Sequence, residues 1–308
     1  MADYNLIIIL GATASGKTRL AVQVAGQLNG EVISADSRQV FRKMNIGTGK
    51  DLHEYKINNK IIPHHLIDIL DPGERYHVDA FKNDFYHAFE TIKSKNKWPI
   101  LCGGTGMYIH SLLQNQPYTA IPINDALRSE LLSFEKDQLV ELLSNYPEAH
   151  TAHADRSSRK RLIRAIEIAA YLKNHDIKEK ITPEIRPVIF GLKNQIEITR
   201  AKILSRLDQR LENGMIEEVE SLIAGGVPKD ILVFYGLEYK FITNYLDGLL
   251  NYQELKSALG IAICQYAKRQ NTFFRKMEKD QVNIHWLDAS FPAQALTQQI
   301  TDKIYSKV

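Results

Sequence analysis

The stretch from residue 6 to residue 28 leaves the chain little choice of fold. Leu6–Leu10 is an unbroken apolar run, Gly11-Ala12-Thr13-Ala14-Ser15-Gly16-Lys17-Thr18 follows it, and Leu20, Val24 and Leu28 then recur at helical spacing. An apolar strand turning through G-x-x-x-x-G-K-[ST] into a helix is a phosphate-binding loop. Its glycines let the backbone curl until successive N–H groups point inward at phosphate oxygens. The helix offers its positive N-terminal end to the same anion. Lys17 adds a mobile charge, and the Thr18 hydroxyl is placed to ligate Mg²⁺. The loop does not say what becomes of the phosphate. ATP hydrolysis, kinase chemistry and displacement of a diphosphate leaving group all begin with this cradle.

The first third continues to alternate strand and helix. Glu31–Asp36, His65–Leu70 and Pro99–Gly104 read as strands, and Val78–Lys93 is amphipathic, with Phe81, Phe85, Ala88, Phe89 and Ile92 on one face. This predicts an α/β fold of the P-loop NTPase-like kind, a mostly parallel sheet flanked by helices. From about Gln116 to Pro183 the rhythm becomes helical, and Pro187–Leu192 then returns to a buried-strand pattern. A helical insertion domain is expected at 116–183, inside a core of 1–115 and 184–308. Glu197–Ala224 reads as one long helix ending at Gly225-Gly226, Tyr252–Met277 as another, and Val282–Leu287 as a last strand.

With 44% hydrophobic and 24% charged residues, the core forms without disulfides or a structural metal. Cys102 and Cys264 lack neighbours at metal-ligand spacing and read as reduced structural residues. The opening Met-Ala-Asp-Tyr-Asn has no basic leader, and no apolar run is long enough to span a membrane, so a cytoplasmic protein is expected. The net charge of +3 is too small to imply nucleic acid by itself. Its distribution says more: Arg156, Arg159, Lys160, Arg161 and Arg164 form one basic cluster, and Lys268 to Lys279 a second.

Two further signals fall at strand ends, where α/β sheets bind ligands. In Ser34-Ala35-Asp36-Ser37-Arg38-Gln39 the carboxylate of Asp36 could hold magnesium through water, take a proton from a nucleophile, or simply cap a turn. Gly103-Gly104-Thr105-Gly106 lets a substrate approach closely and offers the Thr105 hydroxyl.

Taken in order, these segments resemble the tRNA dimethylallyltransferases, also called tRNA isopentenyltransferases. The resemblance runs through Gly11–Thr18, Ser34–Phe41, Asn45-Ile46-Gly47-Thr48-Gly49-Lys50, Pro63–Asp68, Gly103–Tyr108, Arg161–Glu167 and Ala267–Arg275, nearly the whole chain. It implies transfer of a dimethylallyl group from dimethylallyl diphosphate to N6 of the adenosine immediately 3′ of the anticodon, giving N6-isopentenyladenosine. Gly11–Thr18 would hold the diphosphate, with Mg²⁺ on Thr18. Asp36 matches the general base, Thr105 a residue that contacts the target nucleotide, and Ser37, Arg38 and Gln39 the stretch that holds a flipped-out base. Extruding a stacked base requires a deep pocket. Lys17 and Arg206 would stabilise the departing diphosphate. Arg128, Lys160, Arg161 and Arg164 in the insertion, and Lys268, Arg269, Gln270 and Arg275 near the C-terminus, would meet tRNA. A monomer is implied as well.

Four features depart from the family pattern. Lys202 stands for an arginine, Arg210 for a methionine and Phe273 for a tryptophan, and Phe234–Lys240 matches only in part. The competing readings are an isoprenyltransferase for free adenine nucleotides, a small-molecule P-loop kinase, and a non-catalytic RNA-binding protein. The basic insertion argues against the first two, and Lys17, Thr18 and Asp36 together argue against the third.

Overall fold

The computed structural model describes residues 4–114, 117–177 and 181–305. Gln116, the expected start of the insertion, lies outside them, as do residues 1–3, on which the expected lack of a leader partly rests. The chain divides into two compact units, one of Met1–Gln114 with Pro183–Val308 and one of Asn115–Thr182.

Among the described residues the larger unit carries eight strands: β1 (Leu6–Gly11), β2 (Gly30–Ser34), β3 (Lys56–Ile57), β4 (Lys60–Ile61), β5 (His64–His65), β6 (Trp98–Gly103), β7 (Pro187–Lys193) and β8 (His285–Asp288). Six of them form one sheet in the order β5-β2-β6-β1-β7-β8, and every pairing is parallel. Centrally, Ile7 of β1 registers with Ile100 on one side and Val188 on the other. Parallel strands of one sheet need crossover connections. Here α1 (Lys17–Leu28) joins β1 to β2, and α2 (Val78–Ser94) joins β5 to β6. The sheet is buried on both faces, which is why its strands read as unbroken apolar runs. Ile7, Ile9 and Val32 pack with α1, whereas Leu6, Ile8 and Ile33 pack with Phe81, Phe85 and Phe89 of α2.

α3 (Gly106–Leu113) follows β6, and the second unit then contains α4 (Asp125–Leu131), α5 (Lys136–Ser144), α6 (Glu148–Thr151) and α7 (Arg159–Leu172). Leu131, Leu139, Leu143, Leu162 and Ile166 form its own core. After β7 come α8 (Ile196–Glu212), α9 (Met215–Ala224), α10 (Lys229–Tyr235), α11 (Leu237–Leu246) and α12 (Tyr252–Lys279), and after β8 comes α13 (Ala293–Tyr305).

Two expectations need correction. The single helix over 197–224 is two, because Gly214 takes φ +94° and ends the α-helical path between α8 and α9. The strand expected over His65–Leu70 stops at His65. Leu66 and Asp68 adopt φ +61° and +56°, which turns the chain out of the ladder, and only a Phe41–Leu70 bridge remains.

Candidate active site

At the carboxyl end of β1 the chain passes through Ala14 (φ +60°) and Gly16 (φ +85°) before α1 begins at Lys17. Thr13 to Thr18 line one wall of a cleft, and Asp36, Arg38, Gln39 and Gly103, from the ends of β2 and β6, line another. The C-terminal helices close it with Arg206 and Arg210 of α8 and with Tyr266 and Gln270 of α12. Residues spread from position 13 to position 270 thus share one cavity.

Gln270 explains how α12 is tied to the loops. Its Oε1 accepts the Thr13 N–H at 2.9 Å, and its Nε2 donates to the Gly104 carbonyl at 2.9 Å. A buried amide satisfied at both ends locks the phosphate loop to the glycine loop after β6. Thr105 works similarly: its Oγ1 accepts the Ser37 N–H at 3.2 Å, joining the start of α3 to the segment after β2. The Asp36 carboxylate accepts the Arg38 N–H at 3.0 Å, which fixes it at the strand end facing the cleft.

The ionisable lining is balanced, with Lys17, Arg38, Arg206 and Arg210 against Asp36, Asp51, Glu54 and Glu238. Lys17 Nζ donates to the Ala12 carbonyl at 3.4 Å. Burial lowers its pKa, opposed by Asp36, and an arriving anion would offset that desolvation. Arg206 donates to the Thr13 hydroxyl. Burial and then the neighbouring Arg210 push it down to about 10, still charged at neutral pH. Burial pushes the Cys102 thiol up to about 12, so it lines the floor as a neutral group. Arg38 meets Glu238 at 3.4 Å and lies over the Tyr266 ring, 5.2 Å from its centroid. Lys202, the other charged departure on α8, is exposed and takes no part in the lining.

The segment Asn45–Lys50 is held from below. Glu218, in the first turn of α9, accepts the N–H groups of Asn45 (2.7 Å), Ile46 (2.7 Å) and Gly47 (3.0 Å) and the Tyr239 hydroxyl (2.8 Å). The fully buried Lys50 donates to the Phe41 carbonyl, Asn45 Oδ1 and Asp68. Gln39 Nε2 reaches the Gly49 carbonyl at 3.0 Å. Glu218, Lys50, Glu238 and Tyr266 were not singled out from sequence. They sit in helical or loop patterns that read as ordinary charged or apolar faces; Lys50 belongs to the matching Asn45–Lys50 segment and Glu238 to the partly matching Phe234–Lys240.

The residues expected to meet RNA divide into two groups. Lys160, Arg161, Lys268, Arg269 and Arg275 are exposed. Arg128 and Arg164 are instead engaged inside the insertion: Arg128 forks onto Glu167 with two bonds of 2.8 Å, and Arg164 donates to the carbonyls of Tyr118 (3.2 Å) and Ile121 (2.6 Å). Gln270 is engaged between the loops. Phe273 packs edge-on against His110, with ring centroids 5.8 Å apart, and abuts Gly106.

Comparison with known proteins agrees with this architecture. A family model described as IPP transferase matches residues 39–277, and one described as isopentenyl transferase matches residues 4–61. The chain is 47% identical over 304 residues to tRNA dimethylallyltransferase 2 of Bacteroides fragilis (strain ATCC 25285), covering 99% of both sequences. It is 46% identical over 307 residues to tRNA dimethylallyltransferase 2 of Phocaeicola vulgatus, covering 100% of both. The crystal structure of the full-length tRNA isopentenylpyrophosphate transferase of Bacillus halodurans superposes with a TM-score of 0.72 at 32% identity, covering 98% of this chain and 96% of that one. On the family match and the full-length identity together, the chain belongs to the IPP transferase family.

Proposed function

We propose that the protein transfers a dimethylallyl group from dimethylallyl diphosphate to N6 of the tRNA adenosine immediately 3′ of the anticodon. The observation that carries this reading is the cavity shared by a phosphate loop, the half-buried Arg206 guanidinium bonded to that loop, and the strand-end carboxylate of Asp36. In the reaction, N6 attacks the allylic carbon, the carbon–oxygen bond to diphosphate breaks with both electrons leaving on oxygen, and Asp36 accepts the N6 proton. Lys17, the loop amides and Arg206 hold the leaving diphosphate. Thr105, bonded to the Ser37 amide, orients the segment facing the adenine.

Mg²⁺ fits the donor set. Thr18 and Asp36 line the cavity, while no cluster of three or more His, Cys, Asp or Glu among the described residues makes an all-protein cage. That suits an ion which keeps waters and completes its shell with phosphate oxygens. Thr18 would hold it, and its charge would offset that of the diphosphate. Exposed Lys160, Arg161, Lys268, Arg269 and Arg275 supply phosphate contacts that position the RNA without reading sequence. No helix among the described residues is long and apolar enough to cross a membrane. The reading includes a monomer acting in the cytoplasm.

The test is incubation of the protein with Mg²⁺, labelled dimethylallyl diphosphate and unmodified anticodon stem-loops, with free AMP in parallel. Label in the stem-loop and not in AMP is expected. Label in AMP alone would move the reading to free nucleotides, and label in neither would overturn prenyl transfer.

A further inference from the structure

Of the four cations that line the cavity, the reaction described above uses Lys17 and Arg206; Arg38 is held on Glu238 and over the Tyr266 ring, which leaves Arg210. Arg210 lies one helical turn beyond Arg206 on α8, so both guanidinium groups leave the same face. Its side chain is only 13% exposed and stands 3.4 Å from Asp51 Oδ2, longer than a strong charge-assisted bond. Asp51 is 36% exposed, so its carboxylate can return to water when it loses this partner. The seat beside Arg210 is built for it. Gly49 takes φ +63°, and a Cβ there would collide with the Arg210 Nη2. Gly49 is itself pinned through its carbonyl to Gln39, and Gly47 through its N–H to Glu218.

The charge balance gives this placement a consequence. With Arg210 the cavity carries as many cations as carboxylates; without it, three cations would face four carboxylates, and an anion would enter a site of its own sign. A guanidinium is also the side chain whose planar fork matches phosphate oxygens. We infer that Arg210 is a second diphosphate-binding arginine, parked on Asp51 in the free protein and transferred to the donor diphosphate when it binds. This rests on the diphosphate reading of the cavity. Arg206 holds the phosphate at the loop, and Arg210 takes oxygens on the side of the Asn45–Lys50 segment. Asp51 sets how much of that attraction is spent before the donor arrives.

The test is titration calorimetry of inorganic diphosphate, with Mg²⁺ present, into the wild-type protein and into Arg210→Met, Arg210→Lys and Asp51→Asn. Arg210→Met should weaken binding about 30-fold, as expected for a lost bond to a charged group. Arg210→Lys should weaken it by about 5-fold, because it keeps the charge and loses the fork. Asp51→Asn should tighten it by about 3-fold, and by clearly less in the Arg210→Met background; an equal gain in both would mean that only a carboxylate was removed and no guanidinium released. Thermal unfolding of the free proteins reports whether each variant is folded; should Arg210→Met fail, the other two decide. Unchanged affinity in the arginine variants, or weaker binding by Asp51→Asn, overturns the inference while the wild-type titration leaves the cavity reading intact. No binding by the wild-type protein overturns both.

Discussion

Arg206 and Arg210 on α8, and Arg161 and Arg164 on α7, carry the same charge at helical spacing, yet the two units use them differently. On α8 both face a cavity, where their partners are a loop hydroxyl and a half-exposed carboxylate that a ligand can displace. On α7, Arg164 lies against Glu167 and backbone carbonyls, and Arg128 of α4 forks onto the same carboxylate, whose side chain is 0% exposed. Arg161 alone of the α7 pair remains exposed, bonded to Asp155 at 2.8 Å. A buried anion converts a guanidinium into part of the fold, whereas a cavity leaves it available for chemistry.

The largest expected effect comes from the cavity side. Asp36→Ala should lower kcat by about 10²–10⁴-fold, the usual range for losing a positioned base. The melting temperature and stem-loop affinity should hardly change, because Asp36 supports only a local turn through the Arg38 N–H. Unchanged turnover would remove Asp36 from its role. The insertion should respond in the opposite sense. Arg128→Ala leaves Glu167 buried with the Asn124 N–H at 3.0 Å and one guanidinium 3.5 Å away, and should cost about 3 kcal/mol in urea unfolding. Glu167→Gln should cost less, because Arg128 and Arg164 are 34% and 27% exposed and can be rehydrated. Equal losses would mean that the carboxylate is not the organising group.

A buried carboxylate in the larger unit tests the same rule by pH. Glu31 of β2 is 1% exposed and bonds Lys97 at 2.7 Å, His65 at 2.8 Å and Lys95 at 3.2 Å. Burial raises its pKa, but Lys97, His65 and Lys95 together outweigh that and bring it to about 2, from an ordinary 4.5. A depressed carboxyl stabilises the folded state above its unfolded pKa. Unfolding free energy should therefore fall as pH drops from about 4.5 towards 2, by up to about 3 kcal/mol. Glu31→Gln should remove that part of the acid slope in urea titrations; an unaltered slope would place the acid sensitivity elsewhere.

What the sequence made legible follows how local each signal is. That the phosphate loop and Asp36 face one cavity could be expected from sequence because each belongs to a short segment at a strand end; Thr105 does not line that cavity and only ties Ser37 beside it. Arg206 was readable through resemblance and helical spacing. Glu218 was not. It is one acidic residue among several at the start of a helix, and it gains meaning only when the fold brings Asn45, Ile46 and Gly47 N–H groups to it. Gln270 stood beside Lys268 and Arg269 in a basic run, but helical periodicity turns it inward to the loops while those two face solvent. The break at Gly214 and the left-handed turns at Leu66 and Asp68 escaped hydrophobic pattern, which registers burial and is blind to the sign of φ.

The smallest effect separates the two α7 arginines. Arg161 is 60% exposed and its ion pair with Asp155 lies in water, so its removal should change stability by less than about 1 kcal/mol. If it contacts an RNA phosphate, Arg161→Ala should weaken stem-loop binding in every sequence context alike. It should also reduce the slope of log affinity against log salt by about one contact. Arg164→Ala should do the reverse, lowering stability through the lost carbonyl and Glu167 bonds while leaving the salt slope of the remaining folded protein close to that of the wild type. A salt slope that falls in Arg164→Ala and not in Arg161→Ala would show that exposure is a poor guide to RNA contact in this unit, because binding would then have to pull Arg164 away from three backbone carbonyls and a carboxylate that already hold it.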